Sequence, residues 1–475
     1  MTFLENFNFP KMSYNSFVIA NKIPINKYER STKIRGGNGK MFEMLEKLKL
    51  DDEYAIINRN SENPFVILEG GGPLIFDRLR MIPKEQFEFE KFCKEFSQEM
   101  GVRIEEIKED VNLVLEVLKY EETDTTETDG KSVISDNTYA YVYDYFNRKN
   151  KIFKVFMEMT YGCNLKCRHC YLGTDINHVQ TRFTLEKAKS ILGELKEAGV
   201  VEVTFTGGEI FSYPHALEVI EYACDLKFLV TILTNGTLIT EKIADKLTQL
   251  PISEIRISMY GTKEFHDRFV GIEGAFDKSL HALQKLNEKK KNFCMASSVV
   301  TNECIDSLLE LHQMLENMGI RHRLTPLIYP TTQGDLSPTK LRISEEKIVE
   351  LLHQKIFTYS GSECNSGISR LRISPLGEVN PCELFRNVSF GNLFEHSLKE
   401  ILSSEERQNW IKFVREESKV GECQKCENRK YCPRCLGVLY LENGNIREKA
   451  DGLCRLANAK VWSMKDESQA TGTEV

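Results

Sequence analysis

The sequence predicts an α/β protein: a partial (β/α)6 barrel mid-chain, a smaller domain before it and a cysteine-rich domain after it. Three observations carry this. From about Lys151, apolar strands alternate with amphipathic helices six times, the pattern of parallel βαβ units. A polar, acidic stretch, Glu121-Glu-Thr-Asp-Thr-Thr-Glu-Thr-Asp-Gly130, sets that region apart from what precedes it. Finally, half of the 14 cysteines crowd into the last quarter of the chain, where periodicity fades.

The first domain is expected over residues 1–120. Phe65-Val-Ile-Leu-Glu-Gly-Gly-Gly-Pro-Leu-Ile-Phe76 reads as a strand, a glycine-rich turn and a return into a helix. Helices are expected over Lys84–Met100 and Ile104–Leu118. In the second, Ile104, Ile107, Val111, Val114, Leu115 and Leu118 share one face, with charges opposite. A linker over 121–150 follows.

The barrel is expected over 151–345. Its strands are Ile152–Met159, Val201–Phe205, Leu229–Leu233, Glu254–Met259, Cys294–Val300 and Arg321–Pro326, with helices such as Thr184–Ala198 and Thr240–Leu250 between them. Residues 346–475 form the last domain. From about Gly361 it is rich in Cys, Gly and Pro and can bury little core of its own. Metal ligation is therefore expected to order it, because the free energy of binding metal becomes free energy of folding.

Bulk properties exclude several functions. At 475 residues the chain exceeds one ordinary core. With 41% hydrophobic and 28% charged residues it is globular rather than disordered. A net charge of −7 without a basic block argues against nucleic acid. No signal peptide and no membrane-length apolar run is apparent, so no membrane partner is expected and a cytoplasmic location is. There, disulfides are not expected. Cys93, Cys224, Cys294 and Cys304 stand alone and read as buried small hydrophobes; the clustered ones point to metal.

The most informative segment is Cys163-Asn-Leu-Lys-Cys167-Arg-His-Cys170. A 4Fe–4S cube wants one external ligand per iron, usually cysteine thiolate. This loop offers three, which leaves one iron open to something other than protein. The alternative is structural zinc, which takes four closed ligands. Barrel chemistry sits at the C-terminal ends of strands, and this loop follows the first one. The second strand ends in Gly207-Gly208-Glu209, where glycines let the backbone approach a ligand and the carboxylate offers an acceptor for an ammonium. The third ends in Thr234-Asn235-Gly236-Thr237 and the fourth in Ser258-Met259-Tyr260-Gly261.

The C-x3-C-x2-C spacing, with aromatic His169 before the third cysteine, resembles the signature of radical S-adenosylmethionine (SAM) enzymes. The resemblance implies a 4Fe–4S cluster on Cys163, Cys167 and Cys170 whose open iron chelates SAM. Its electron cleaves SAM to a 5′-deoxyadenosyl radical, and it is fed by an external one-electron reductant such as flavodoxin or ferredoxin. It further implies that Gly207, Gly208 and Glu209 bind the SAM amino group and that Ser258 contacts the ribose, the other reading of Ser258 being a strand-end turn. Many relatives carry Arg just before Gly271; here Val270 stands there and Arg268 precedes it.

The C-terminal cysteines run Cys364, Cys382 (in Gly377-x4-Cys), Cys423-x2-Cys426-x5-Cys432-x2-Cys435 and Cys454. This order resembles the SPASM domain, which holds two auxiliary 4Fe–4S clusters, although relatives more often space the last pair of the central run by x3. By that resemblance Cys423, Cys426, Cys432 and Cys454 hold an outer cluster. Cys364, Cys382 and Cys435 hold an inner one, which a non-cysteine group completes or which keeps an iron open. The other reading is two zinc knuckles, Cys423/Cys426 and Cys432/Cys435. Residues 65–76 and the helices after them resemble a RiPP recognition element, a winged-helix module that binds the leader of a ribosomally made precursor peptide as an added strand. Together the three parts resemble sactipeptide maturases. The resemblance implies thioether cross-links between cysteine sulfur and carbon, the alternatives being carbon–carbon or carbon–oxygen bonds, or a non-catalytic metal-binding scaffold.

Overall fold

The computed structural model describes residues 46–50, 53–57, 65–68, 72–83, 86–122, 137–173, 179–290, 293–357, 363–419 and 421–471. The chain divides into two compact units, 1–145 and 146–475. Most of the acidic stretch expected as a linker, 123–136, lies outside the described residues, as does the glycine turn 69–71.

In the first unit, β1 (Glu46–Leu50), β2 (Glu53–Ile57) and β3 (Phe65–Leu68) form an antiparallel sheet in that order. Three helices follow: α1 (Gly72–Arg80), α2 (Phe89–Met100) and α3 (Ile104–Glu122). Pro83 delays α2 beyond the expected Lys84, because the Gln86 N–H bonds back to the Pro83 carbonyl in a tight turn. The apolar face expected on α3 is the buried one. Ile107, Val111, Val114 and Leu115 pack with Ile56, Leu68, Ile75, Phe76 and Leu79 of the strands and α1, and with Phe92 and Phe96 of α2. The side chain of Leu118 lies outside the described set.

Helix α4 (Asn137–Arg148) leads into the second unit. There six parallel strands run β4 (Lys154–Glu158), β5 (Glu202–Thr206), β6 (Leu229–Thr234), β7 (Glu254–Ser258), β8 (Cys294–Val299) and β9 (Arg321–Thr325). Each lies where the alternating pattern predicts it. Between them come α5 (Leu185–Glu197), α6 (Ala216–Asp225), α7 (Glu241–Gln249), α8 (Lys263–Val270), α9 (Ala275–Lys289) and α10 (Ile305–Asn317). Thr184 and Thr240 cap α5 and α7 by accepting from the backbone N–H of Lys187 and Ile243. One sheet face carries Val155, Met157, Val203, Phe205, Val230, Ile232, Ile255 and Ile257 into the core beneath the helices.

Beyond α11 (Glu345–His353), β10 (Arg370–Ile373), β11 (Glu378–Asn380) and β12 (Gly391–Asn392) extend the same sheet, giving the order β12-β11-β10-β4-β5-β6-β7-β8-β9. β10 is parallel to β4, Arg372 opposite Phe156. The expectation of little core in this region fails here. Leu371, Ile373, Val379, Leu436 and Val438 belong to the core that runs through the barrel. Strands of two to four residues leave no periodic trace in a sequence, so this packing was hidden. Helices α12 (Leu398–Ser403), α13 (Glu405–Lys412), α14 (Leu436–Asn443) and α15 (Asp451–Thr471) complete the unit. All four isolated cysteines are buried, as expected. No helix among the described residues is long and apolar enough to cross a membrane.

Candidate active site

The loop after β4 is pinned from two sides. Its Lys166 and Arg168 N–H groups donate to the carbonyls of Val270 (2.8 Å) and Phe269 (3.2 Å) at the end of α8. On the other side the β5 loop lies directly against it: Gly208 N donates to Thr160 O and Glu209 N to Gly162 O, both at 2.8 Å. Here the two glycines are needed for the close approach of two loops. A Cβ on Gly207 would stand 2.3 Å from Thr160 O, and one on Gly208 would stand 2.4 Å from the carbonyls of Tyr161 and Gly162. Gly207 also has φ 145°. The pair brings backbone against the cysteine loop.

Cys163, Cys167 and Cys170 converge on one side of this loop. Burial raises all three thiol pKa values; Glu209 and Cys170 raise Cys163 further, and Cys170 and Cys163 raise Cys167. Leu165 N–H points at Cys163 Sγ (3.5 Å), and Asn235 Nδ2 lies 4.0 Å from it. His169 stacks on Phe269 (centroids 5.2 Å, 11°) and meets Tyr260 edge-on at 4.7 Å. Burial pushes its pKa down to about 4, and its Nδ1 has no hydrogen-bond partner.

Glu209 was expected to offer its carboxylate to an ammonium. In the structure that side chain is sealed at 0% exposure. Oε1 accepts from Thr234 Oγ1 (2.6 Å) and Phe211 N (3.1 Å), and Oε2 from Asn235 N (2.7 Å). Three donors leave the carboxylate one acceptor position, on Oε2. Burial raises its pKa, partly offset by the three hydrogen bonds. Ser258 ends β7 half-buried, two residues before the buried Tyr260. Arg268 is exposed and lies over the Phe265 ring, 5.2 Å from its centroid, whereas Val270 is buried and its carbonyl accepts from Lys166 N of the cysteine loop.

The C-terminal cysteines form two groups. Cys423, Cys426, Cys432 and Cys454 line one cavity of about 40 Å³, together with Arg434, Leu439 and Leu453. They come from two short 3-10 turns, Glu422–Lys425 and Glu427–Tyr431, and from α15. Burial raises Cys432 to about 12 and Cys454 to about 11, with the neighbouring thiols adding to both. Cys364, Cys382 and Cys435 form the second group. Burial, then Glu383, raises Cys382, and burial, then Cys364, raises Cys435 to about 12. Among the described residues no three His, Cys, Asp or Glu side chains are gathered to hold a single metal ion. The four outer thiols line a common cavity, as the ligands of one cluster would. All ten thiols are free. Orphaned buried polar atoms border each group: His169 Nδ1 at the barrel loop, Arg434 Nε at the outer cavity and Glu383 Oε2 at the inner set. This donor chemistry fits iron–sulfur clusters.

A network that the sequence did not disclose joins the two halves of the site. Glu158, at the end of β4, accepts from Arg372 Nη2 of β10 and from Arg386 Nη2, both at 2.6 Å. Arg372 also donates to the Tyr161 hydroxyl at 2.5 Å. Burial alone would raise the Glu158 pKa; the two arginines overcome it and hold the carboxyl below its ordinary value. A Glu within Lys154-Val-Phe-Met-Glu158 and an Arg within Leu371-Arg-Ile373 were the available signals, being charges inside buried strands.

Residues 157–315 match the model of the radical SAM superfamily, and residues 364–427 match that of an iron–sulfur cluster-binding domain, SPASM. The chain thus carries a radical SAM domain followed by a SPASM domain. As a radical SAM protein with a SPASM domain it takes 4Fe–4S clusters and S-adenosylmethionine. The SPASM match includes Cys364, Cys382, Cys423 and Cys426 and stops before Cys432, Cys435 and Cys454. This radical SAM chain is 30% identical over 268 residues to the antilisterial bacteriocin subtilosin biosynthesis protein AlbA of Bacillus subtilis, covering 52% of the chain and 58% of AlbA. It thus spans less than two thirds of that relative's length. It is 25% identical over 329 residues to the AdoMet-dependent heme synthase of Methanosarcina barkeri, covering 62% of the chain and 93% of the synthase. Its fold is similar to that of Streptococcus suis SuiB crystallised with the precursor peptide SuiA. The TM-score is 0.56 at 17% identity, with 88% of this chain and 100% of that one covered.

Proposed function

We propose that this radical SAM protein is a peptide maturase that installs intramolecular thioether cross-links, cysteine sulfur to carbon, in a ribosomally made precursor peptide. One observation carries the reading: three thiols converge on the loop after β4, and β10, stitched to that same strand, leads to the inner auxiliary set. The similarity to a bacteriocin biosynthesis protein, and a fold shared with a protein crystallised with a precursor peptide, support a peptide as substrate.

Cys163, Cys167 and Cys170 would hold the SAM-binding cluster. Cys423, Cys426, Cys432 and Cys454 would hold the outer auxiliary one, and Cys364, Cys382 and Cys435 the inner. Bound there with SAM, the first cluster supplies a 5′-deoxyadenosyl radical for hydrogen abstraction. The chain's own residues do the positioning. His169, Tyr260 and Phe269 wall the cysteine loop with rings and keep water from it. Gly207 and Gly208 fix the β5 loop on its backbone, and Ser258 presents a hydroxyl at the end of β7 toward a ribose. Closing a thioether by abstraction leaves one surplus electron, which the auxiliary clusters are suited to accept. The first unit, whose three-stranded sheet ends in β1 and β3, would take the leader as an added edge strand. The expected reductant is a one-electron carrier such as flavodoxin or ferredoxin.

The test uses anaerobically reconstituted protein, SAM, reductant and the peptide of a short Cys-containing reading frame beside this gene. The expected result is 5′-deoxyadenosine, a peptide lighter by two hydrogens, and a cysteine that no longer reacts with iodoacetamide. A two-hydrogen loss with the cysteine still alkylated would point to a carbon–carbon or carbon–oxygen bond. No cleavage of SAM would end the enzyme reading.

A further inference from the structure

The inner auxiliary set has three cysteines for a cube that wants four ligands. Glu383 follows Cys382 directly, and one of its oxygens is committed: Arg370 donates to Oε1. Its other oxygen, Oε2, is buried and has no hydrogen-bond partner. A buried carboxylate oxygen left unpaired is costly, so it calls for a partner. Its neighbours identify what that is. The charge of Glu383 acts on both Cys382 and Cys435, and it reaches Tyr329 on the same side. Cys364, in turn, acts on Cys382 and Cys435. Glu383 is thus the carboxylate next to the group of three thiols that lacks a fourth member, and one of its oxygens is spare. Arg370 itself is fixed, lying 4.3 Å over the Phe156 ring of β4, so the carboxylate is aimed rather than loose.

We propose that Glu383 Oε2 is the fourth protein ligand of the inner auxiliary 4Fe–4S cluster, held in place by Arg370. This rests on the reading that Cys364, Cys382 and Cys435 carry that cluster. A carboxylate is a harder ligand than thiolate, so it gives this cluster a different potential from an all-cysteine one.

The experiment uses the full chain with Cys163, Cys167 and Cys170 replaced by alanine, so that only the auxiliary clusters load. Iron content comes first: about eight irons per chain are expected, falling to about four on adding Cys382→Ala. Absence of that fall would overturn the underlying assignment of the inner site. With the inner cluster present, Glu383→Gln and Glu383→Cys are compared with the parent by electron paramagnetic resonance with and without cyanide, and by redox titration. The amide in E383Q still accepts from Arg370 but binds iron poorly. Its spectrum should shift on adding cyanide while the parent's and that of E383C do not, and E383C should have a changed midpoint potential. Loss of the cluster in E383Q with retention in E383C would support ligation equally. Identical spectra and cyanide responses in parent and E383Q would overturn the proposal, as would loss of the cluster in both variants.

Discussion

Arg372 and Glu158 are 214 residues apart in sequence and 2.6 Å apart in the structure, each with about 1% of its side chain exposed. One lies on β10, which β11 joins to Cys382, the other on β4, the strand that precedes Cys163. Two charges taken so far from water are tolerable only because each is paired and hydrogen-bonded, Arg372 to Asn380 and Tyr161 as well.

Glu158→Ala should therefore leave two cations uncompensated and destabilise the metal-free second unit by about 3–5 kcal/mol, read by urea denaturation. Arg372→Met and Glu158→Leu together should recover much of that loss. A double variant no better than the single one would show that the pair does not act as a unit.

The same carboxyl predicts a pH dependence. Its pKa in the folded chain lies below its ordinary value of 4.5, because the two arginines outweigh its burial. Its contribution is thus complete above pH 4.5 and is lost as pH falls through the lowered folded value. Acid unfolding curves of the parent and of Glu158→Gln should converge in that window and diverge above it.

Gly208→Ala should abolish loading of the barrel cluster, since its methyl would overlap two carbonyls of the cysteine loop. Iron content is expected to fall by about four per chain, as for Cys163→Ala. Full loading in G208A would mean that the β5 loop can retreat.

Cys454→Ala should remove the outer cluster alone. The expected signs are a loss of about four irons and a lower melting temperature of the reconstituted protein, with the metal-free melting temperature unchanged. An equal fall in the metal-free protein would assign Cys454 to packing instead.

Thr234→Val deprives Glu209 Oε1 of its shortest donor. A cost of about 1–3 kcal/mol is expected in denaturation, the penalty of a sealed acceptor left short. If SAM affinity, followed by equilibrium binding, falls along with stability, bracing of the Asn235 loop by Glu209 matters to the ligand.

The six barrel strands were legible because buried parallel strands are written as near-continuous apolar runs, as in Leu229-Val-Thr-Ile-Leu233. The cysteine loop was legible from spacing alone. What escaped was long-range. β10 is four residues long and joins β4 from far along the chain, so neither periodicity nor local motif marks it. The inward turn of Glu209 depends on three donors from two later segments. The role of Arg370 toward Glu383 is likewise invisible without the sheet that sets them side by side.

The parallel pairing of β10 with β4 bears on how this protein can be made. Until residues 370–373 emerge from the ribosome, the outer flank of β4 has nothing to pair with, and bare strand flanks recruit other chains. A version cut off after the last barrel helix would keep that flank naked for good. Attempts to produce the catalytic half by itself should yield aggregates, whatever metal is offered.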